Sequence, residues 1–581
     1  MRGPIELQDA FKGYTLDQDK ILAPEQTVER FRARLKEVDL DILKGTMRID
    51  HGRLDIPVYF SLCGRDAELV IGTKKQMGKG GTPRQSEASA VMELAERFSF
   101  FSFCKDPGNF IIEEYRNLKD PVLPFESIAR SVHDTSGELD AAREIFSRLP
   151  LKWTWAYNLT QGQELLIPFD WFFAINEFNG PCAGNCKEEA LLQGICEVVE
   201  RHVSSIISRS RMRTPAILRD SITDPVAREL IDKFDRAGVR LFMTDFSLDT
   251  GIPSVGVLAY DPSTFPVRSE IVWTAGTTPC PHKALIRALT EVAQLAGDFN
   301  TSSNYVASGL PKFKDLEEAL FITQPDGAVP LGQLPDLSHA NMKVEVESCI
   351  AALSGKGREV VAVDVTHPGL RIPAFYTVIP GAHFRERAAG TSVGMFCAKL
   401  ISQNPDPLWA LAKLEEMDRL MPEKYYVRFY LGTCHLSLQR PQRAMGFLEE
   451  ALTLGPKDED IPIIYVYMGV CLKELERYRE ALAVLEKAER YDAERTDVHN
   501  LMGFCCFKLK EHERAIEHFR QVLRLNPASA IDYANIASNY REMGEYGKAA
   551  DYYRTALELD PGIEFARENL DRLSHLAGKQ G

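Results

Sequence analysis

The sequence contains no Cys-x-x-Cys pair, no apolar run approaching 18 residues and no GxxxxGK[ST] phosphate loop. Each absence removes a class of protein. Of its twelve cysteines, the closest spaced are Cys182 and Cys186 in CAGNC, apart from the adjacent Cys505 and Cys506. A structural zinc site is therefore unsupported, and the thiols of so large a chain read as buried and reduced. The most apolar stretch, IPIIYVYMGVCL from Ile461, suits a packed helix better than a membrane span. The leading MRGPIELQDAFKG lacks an apolar signal core, so a cytoplasmic location and no membrane are expected. A net charge of −14 leaves no general surface for nucleic acid. GTKKQMGKG (Gly72 to Gly80) brushes against a phosphate loop without its spacing. No histidine has a glutamate three residues before it, which argues against a di-iron helix bundle.

What is present is an ordinary globular composition, 45% hydrophobic and 26% charged, over 581 residues. That length allows two to four domains. Three distant segments share one pattern: SAVMELAER (Ser89 to Arg97), QGICEVVER (Gln193 to Arg201) and RALTEVAQ (Arg287 to Gln294). Each places polar side chains at i−4, i and i+3, giving Ser89/Glu93/Glu96, Gln193/Glu197/Glu200 and Arg287/Glu291/Gln294. On a helix those offsets share a face. The other positions are mostly apolar, so each helix is a narrow polar stripe on a body that wants burial. One such helix would read as surface decoration; three point to a shared site. Buried carboxylates need cations among them, and clustered acids suit hard metal ions with bound phosphates.

The chain reads as two regions. Up to residue 390, strand-like IPSVGVLAY (Ile252 to Tyr260), REVVAVDV (Arg358 to Val365) and IPAFYTVIP (Ile372 to Pro380) alternate with long helices, a mixed α/β pattern. Lys312 to Ser338 is rich in Pro, Asp and Gly and reads as a long surface loop. A connecting segment is expected at 391–408. From 409 to 581 a period emerges: Gly469, Ala481 and Ala488 are matched 34 residues later by Gly503, Ala515 and Val522, then by Ala537, Ala549 and Ala556. Gly432, Ala444, Ala451 and Pro456 show the same internal spacing upstream. This resembles the tetratricopeptide repeat, which stacks helix hairpins into an all-α superhelix. Such an array is either a packing module, giving a homodimer, or a surface that captures a protein partner; the second is preferred.

With GKGGTPRQSEASAVMELAER (Gly78 to Arg97), AGNCKEEALLQGICEVVER (Ala183 to Arg201), RALTEVAQ and HPGLRIPAFYTVIPG (His367 to Gly381), residues 10 to 385 resemble the YcaO family of ATP-using enzymes. The resemblance implies a YcaO-type α/β (α+β) catalytic domain over 1–390. It implies ATP and Mg2+ as cofactors, held without a phosphate loop. By resemblance, Glu93, Glu96, Glu197, Glu200 and Glu291 match the magnesium-binding acids. Ser89, Asn185, Glu189, Gln193, Arg201, Arg287 and Gln294 match nucleotide-contacting positions. Lys20 and Thr27 match an early lysine near the phosphates and a nearby hydroxyl. The charges agree, since acids cannot meet a triphosphate without bridging cations. Arg201 and Arg287 suit phosphate oxygens; the plainer reading pairs them with neighbouring glutamates.

Family members phosphorylate the oxygen of a backbone amide, whose carbon a side chain then attacks to give an azoline, or a sulfur source to give a thioamide. The resemblance thus implies ATP-dependent activation of an amide in a peptide or protein substrate. No side chain can be named as the chemical base. Azoline-forming members commonly end in a Pro-rich tail, whereas this sequence reads LSHLAGKQG there. Two rival readings are a nucleotide-binding adaptor acting through its repeats and a carboxylate metalloenzyme without nucleotide.

Overall fold

The computed structural model describes residues 3–72, 76–301, 305, 309–384 and 391–577. The end of the LSHLAGKQG segment, 578–581, lies outside them. The chain divides into two units: one of residues 1–137 and 147–393, the other of residues 138–146 and 394–581. Among the described residues no helix is long and apolar enough to cross a membrane.

The first unit is mixed α/β, with three sheets. Strands Leu43–Arg48, Val58–Cys63 and Gln76–Lys79 form an antiparallel sheet in that order. A five-stranded sheet runs Val272–Thr277, Ser254–Tyr260, Arg240–Asp245, Ala216–Ile217, Ala328–Val329. A six-stranded sheet orders Ile111–Glu114, Pro150–Asn158, Val361–Asp364, Ala374–Val378 and Pro181–Ala183, with Gln163–Pro168 pairing the second of these. Every residue of Ser254–Tyr260 and Ala374–Val378 is buried, which is why those runs are mainly apolar rather than alternating.

Four helices build the site, α1 (Pro24–Val38), α2 (Pro83–Lys105), α3 (Lys187–Ser210) and α4 (Pro281–Ala296), and α5 (Met342–Ser354) packs on α3. Thr82 caps α2 by accepting from the Gln85 amide, and Pro83 opens its first turn. Cys186 caps α3, its sulfur accepting from the Glu189 amide at 3.4 Å. Two glycines set how closely helices approach strands. A Cβ on Gly78 would lie 2.1 Å from the Ser86 carbonyl oxygen of α2. One on Gly194 of α3 would lie 2.4 Å from Thr377 Oγ1. Only hydrogen fits at these crossings.

The second unit is all-α. Tyr425–Ser437, Ile461–Glu474, Thr496–Lys508 and Ala530–Glu542 are the first helices of four hairpins, paired with Pro441–Thr453, Tyr478–Tyr491, His512–Leu525 and Tyr546–Leu559. A Cβ on Gly469 would meet Leu485 at 2.7 Å, and one on Gly503 would meet Phe519 at 2.8 Å. The repeating small residue is thus the seat for a large side chain of the second helix. Ala444, Ala451, Ala481, Ala488, Ala515, Ala549 and Ala556 are all fully buried.

The expected connecting segment, 391–408, contains the helix Val393–Ser402, whose Cys397 and Ile401 are buried. One expectation changes: Lys312 to Ser338 is not simply a surface loop. Phe313 and Phe321 are buried against Trp273, with ring centroids 5.1 and 5.7 Å away. Ala328–Val329 adds a parallel edge strand to Ala216–Ile217. Polar and proline-rich composition concealed these few apolar anchors.

Candidate functional site

The three polar stripes converge. Ser89, Glu93 and Glu96 of α2, Glu189, Gln193, Glu197 and Arg201 of α3, and Arg287, Glu291 and Gln294 of α4 line one cavity of about 280 Å³. Asn185, just before α3, Thr27 of α1 and Lys20 of the amino-terminal segment complete its wall. Residues 274 positions apart in sequence therefore share one space, since Lys20 and Gln294 both line it.

Each wall is held by hydrogen bonds. Asn185 Nδ2 donates to Thr27 Oγ1 at 3.0 Å and to Glu189 Oε1 at 3.1 Å. Glu189 Oε2 accepts from the Ile21 amide at 3.1 Å, and its Oε1 lies 3.7 Å from Lys20 Nζ. This network ties the amino-terminal segment to α3. Across the cavity, the Gly180 amide donates to Glu197 Oε2 at 3.2 Å. Arg201 Nε donates to Asn179 Oδ1 at 3.1 Å, and Arg287 donates to Gln193 Oε1 at 3.2 Å.

Glu200 departs from the expected ligand set. It does not line the cavity, and its side chain is 1% exposed. Its Oε2 accepts from Arg287 Nε at 3.1 Å and from the Thr277 amide at 3.2 Å, while its Oε1 lies 3.6 Å from Arg201. The residue is turned toward two guanidinium groups instead of the acid ring. For Arg201 and Arg287 both readings hold: they pair with Glu200 and they face the cavity.

Two cations escaped the sequence reading. Lys79 lines the cavity with Nζ 2.5 Å from Glu291 Oε2. Arg97 lies 3.5 Å from Glu96 and 3.9 Å from Glu93, and donates to the Phe178 carbonyl at 3.1 Å. The G-K-G of the first motif and the arginine closing it were the available signals. Lys79 sits on a strand, outside any helical stripe, and Arg97 looked like an ordinary surface neighbour of Glu96.

The electrostatics are frustrated. Burial pushes the Glu96 carboxyl well above its ordinary range, and although Arg97 opposes this, Glu197 and Glu93 add to it. Burial likewise raises Glu93 against the pull of Arg97. Burial also works against ionised Glu291, but Lys79 and Arg201 outweigh it and hold that carboxyl below the usual range. Like-charged, dehydrated carboxylates of this kind gain from an added cation.

Among the described residues, no group of three or more His, Cys, Asp or Glu is arranged as a ready-made metal cage. Glu93, Glu96, Glu197 and Glu291 are instead hard oxygen donors spread round a cavity that also presents Lys79, Arg97, Arg201 and Arg287. That donor set fits magnesium whose remaining ligands are phosphate oxygens and water. Cys182 takes no part in the cavity wall; its thiol is buried and donates to the Phe375 carbonyl at 3.3 Å.

Comparison with known proteins bears on the family and the fold. Residues 77–383 match the family model described as "YcaO cyclodehydratase, ATP-ad Mg2+-binding". Residues 492–561 match a tetratricopeptide repeat model, and 413–488 match one for anaphase-promoting complex, cyclosome, subunit 3. An uncharacterized protein of Methanothermobacter thermautotrophicus is 27% identical over 381 residues, covering 62% of this chain and 93% of the relative. The Escherichia coli ribosomal protein S12 methylthiotransferase accessory factor YcaO is 26% identical over 306 residues, 48% of this chain and 49% of that protein. Among solved structures, a heterocyclase in complex with substrate and cofactor superimposes with a TM-score of 0.55 at 22% identity, over 66% of this chain and 55% of that one. At that identity the likeness is one of fold.

Proposed function

The chain belongs to the YcaO family, and from that premise we propose that it uses ATP with magnesium to activate a backbone amide of a peptide or protein. The observation that supports this best is the convergence of five carboxylates and five cations on one cavity. In this reading Glu93, Glu96, Glu197 and Glu291 hold magnesium, which supplies charge neutralisation at the γ-phosphate and the leaving diphosphate. Arg201, Arg287 and Lys79 present donors to phosphate oxygens. Ser89, Asn185, Glu189, Gln193, Gln294, Lys20 and Thr27 bind and orient the nucleotide. Glu200 acts from behind the wall, fixing both guanidinium groups by charge and hydrogen bond. The family's catalytic region is assigned to residues 1–390. The repeats recruit a protein partner or the substrate, because stacked hairpins offer an extended concave surface.

ATP with magnesium is expected to raise the melting temperature of the first unit, and ATP alone to do so weakly, because ligand binding to the native state adds to apparent stability. Differential scanning fluorimetry with ATP, magnesium and both measures this. No shift at saturating ATP and magnesium would overturn the nucleotide reading and leave the repeats as the working part.

A further inference from the structure

Arg97 differs from the other guanidinium groups of the cavity in what holds it. Arg201 and Arg287 are committed to Glu200, behind the wall. Arg97 faces Glu96 at 3.5 Å and Glu93 at 3.9 Å, two acids assigned above to magnesium. Both distances exceed those of a good hydrogen bond. Among the described residues its one hydrogen bond goes elsewhere, to the Phe178 carbonyl at 3.1 Å, and its guanidinium carbon lies 5.8 Å from the centre of the Phe178 ring. The side chain thus has two sets of partners, a pair of carboxylates and a carbonyl with an aromatic ring.

Only charge ties Arg97 to the first set. Burial disfavours the ionised form of Glu93 and of Glu96, and Arg97 is the charge that opposes it most at both. A divalent ion held by these carboxylates would meet the guanidinium at close range, where like charges in a buried site repel strongly. The two cations cannot share the acids.

The second set of partners is fixed in place. Phe178 belongs to the turn 177–180, between the helix Phe169–Asn176 and the strand Pro181–Ala183. The turn is anchored at both ends: the Glu177 amide donates to the Phe173 carbonyl at 2.8 Å, and the Thr377 amide donates to the Gly180 carbonyl at 2.8 Å. Asn179 Oδ1 accepts from Arg201 Nε, and the Gly180 amide donates to Glu197 Oε2. Three consecutive residues therefore reach charged groups of both α2 and α3. The Phe178 residue is 40% exposed, so a guanidinium can settle on its ring without opening the core.

Resting on the ATP and magnesium reading above, we propose that Arg97 is a resident counter-ion of Glu93 and Glu96 and that the turn 177–180 receives it when the site loads. While the acids carry no metal, Arg97 offsets their charge. On loading it gives up both acids and closes onto the Phe178 carbonyl and ring by side-chain rotation. Phe178 is then a positioning residue acting through Arg97, and the pair sets the free magnesium level at which nucleotide binds.

The test is calorimetric binding of a non-hydrolysable ATP analogue to the full chain at graded free magnesium, at pH 8 to keep protons from taking the arginine's place. The readout is the free magnesium giving half-maximal analogue binding. Arg97→Gln removes the competitor and is expected to lower that midpoint about tenfold, the low end of what a neighbouring opposite charge does to a carboxylate. Phe178→Ala weakens the receiver and should raise the midpoint about two- to fivefold, the worth of an exposed cation–π contact; Phe178→Trp offers a stronger ring and should lower it. In the Arg97→Gln background, Phe178→Ala should change nothing. An arginine that serves only as a phosphate ligand gives the opposite sign, so a raised or unchanged midpoint in Arg97→Gln overturns the proposal. So does an equal effect of Phe178→Ala with and without Arg97, which would make the ring a packing residue only. If Arg97→Gln fails to fold, the two Phe178 variants decide, and shifts of the same sign overturn the proposal. Failure of the wild type to bind the analogue at any magnesium concentration sinks the function reading and this inference with it.

Discussion

Individual carboxylates around the cavity serve opposite ends. Glu96 is dehydrated and pushed further by Glu197 and Glu93, so its charge is a liability until a cation arrives. Glu96→Gln is expected to raise the melting temperature of the ligand-free protein while removing the shift produced by ATP with magnesium. Scanning fluorimetry with and without ligand reads both effects. Glu200 behaves in the reverse way, because it pairs with two buried guanidinium groups. Glu200→Ala leaves those cations uncompensated and should cost about 3 kcal/mol or more in denaturant unfolding. Glu197→Lys, at the cavity wall, should abolish the ligand shift without unfolding the repeats. Equal destabilisation by Glu200→Ala and Glu96→Gln would remove the distinction drawn between them.

At the level of elements, α3 carries most of the burden. It packs through Gly194 against Thr377 and Cys182, where an added Cβ would meet atoms at 2.4 and 2.6 Å. Gly194→Val should therefore displace α3 with its Gln193 and Glu197, costing about 1–3 kcal/mol and weakening nucleotide binding. The far end of α3 is pH-sensitive. His202 Nδ1 accepts from the His383 amide at 3.0 Å, and the His133 and His383 rings stack with centroids 3.5 Å apart. Burial, reinforced by Arg358, lowers His202 to about 3. Burial and the neighbouring His133 lower His383 to about 4. Both are neutral when folded but take up a proton near pH 6.5 when unfolded. Their contribution is thus fully present above pH 6.5 and is lost progressively from there, down to about pH 4 for His383 and about pH 3 for His202. Between pH 7 and 4.5 the more deeply buried His202 alone should lower the unfolding free energy of the first unit by about 2 kcal/mol. His202→Gln should flatten that dependence, and an unchanged slope would show that other groups set it.

For the whole molecule, the division of the chain governs how the two units can be separated. The repeat unit includes residues 138–146, far from the rest of it in sequence. The helix Leu139–Ser147 buries Ala142, Ile145 and Phe146. Deleting 410–581 therefore removes most of the unit to which that helix belongs but leaves the helix behind. The truncated protein is expected to keep ATP binding but to bind a hydrophobic dye unless Ile145 and Phe146 are replaced by polar residues. Productive turnover of a macromolecular substrate should fall, because a tethered docking domain raises local concentration to roughly the millimolar range for short linkers. A folded truncation working at the full-length rate would show that the repeats do not recruit the substrate.

The sequence by itself determined which helices carry the acids and where the repeats fall. Both are local periodicities: the offsets i−4, i and i+3 place side chains on one face whatever the helix packs against, and a 34-residue unit states its own packing in Gly469, Gly503 and Ala537. Tertiary structure decided the rest. Periodicity put Glu200 on the stripe with Glu197, but Arg287, from a helix 87 residues away, turns it off the cavity. Lys79 became part of the site only because its strand delivers it to Glu291, 212 residues later. The helix Leu139–Ser147 joined the repeats although nothing in its own residues names them. Charge pairing and apolar burial act between whichever groups the chain brings together in space, so those outcomes are fixed by contacts among distant segments and not by spacing along any one of them.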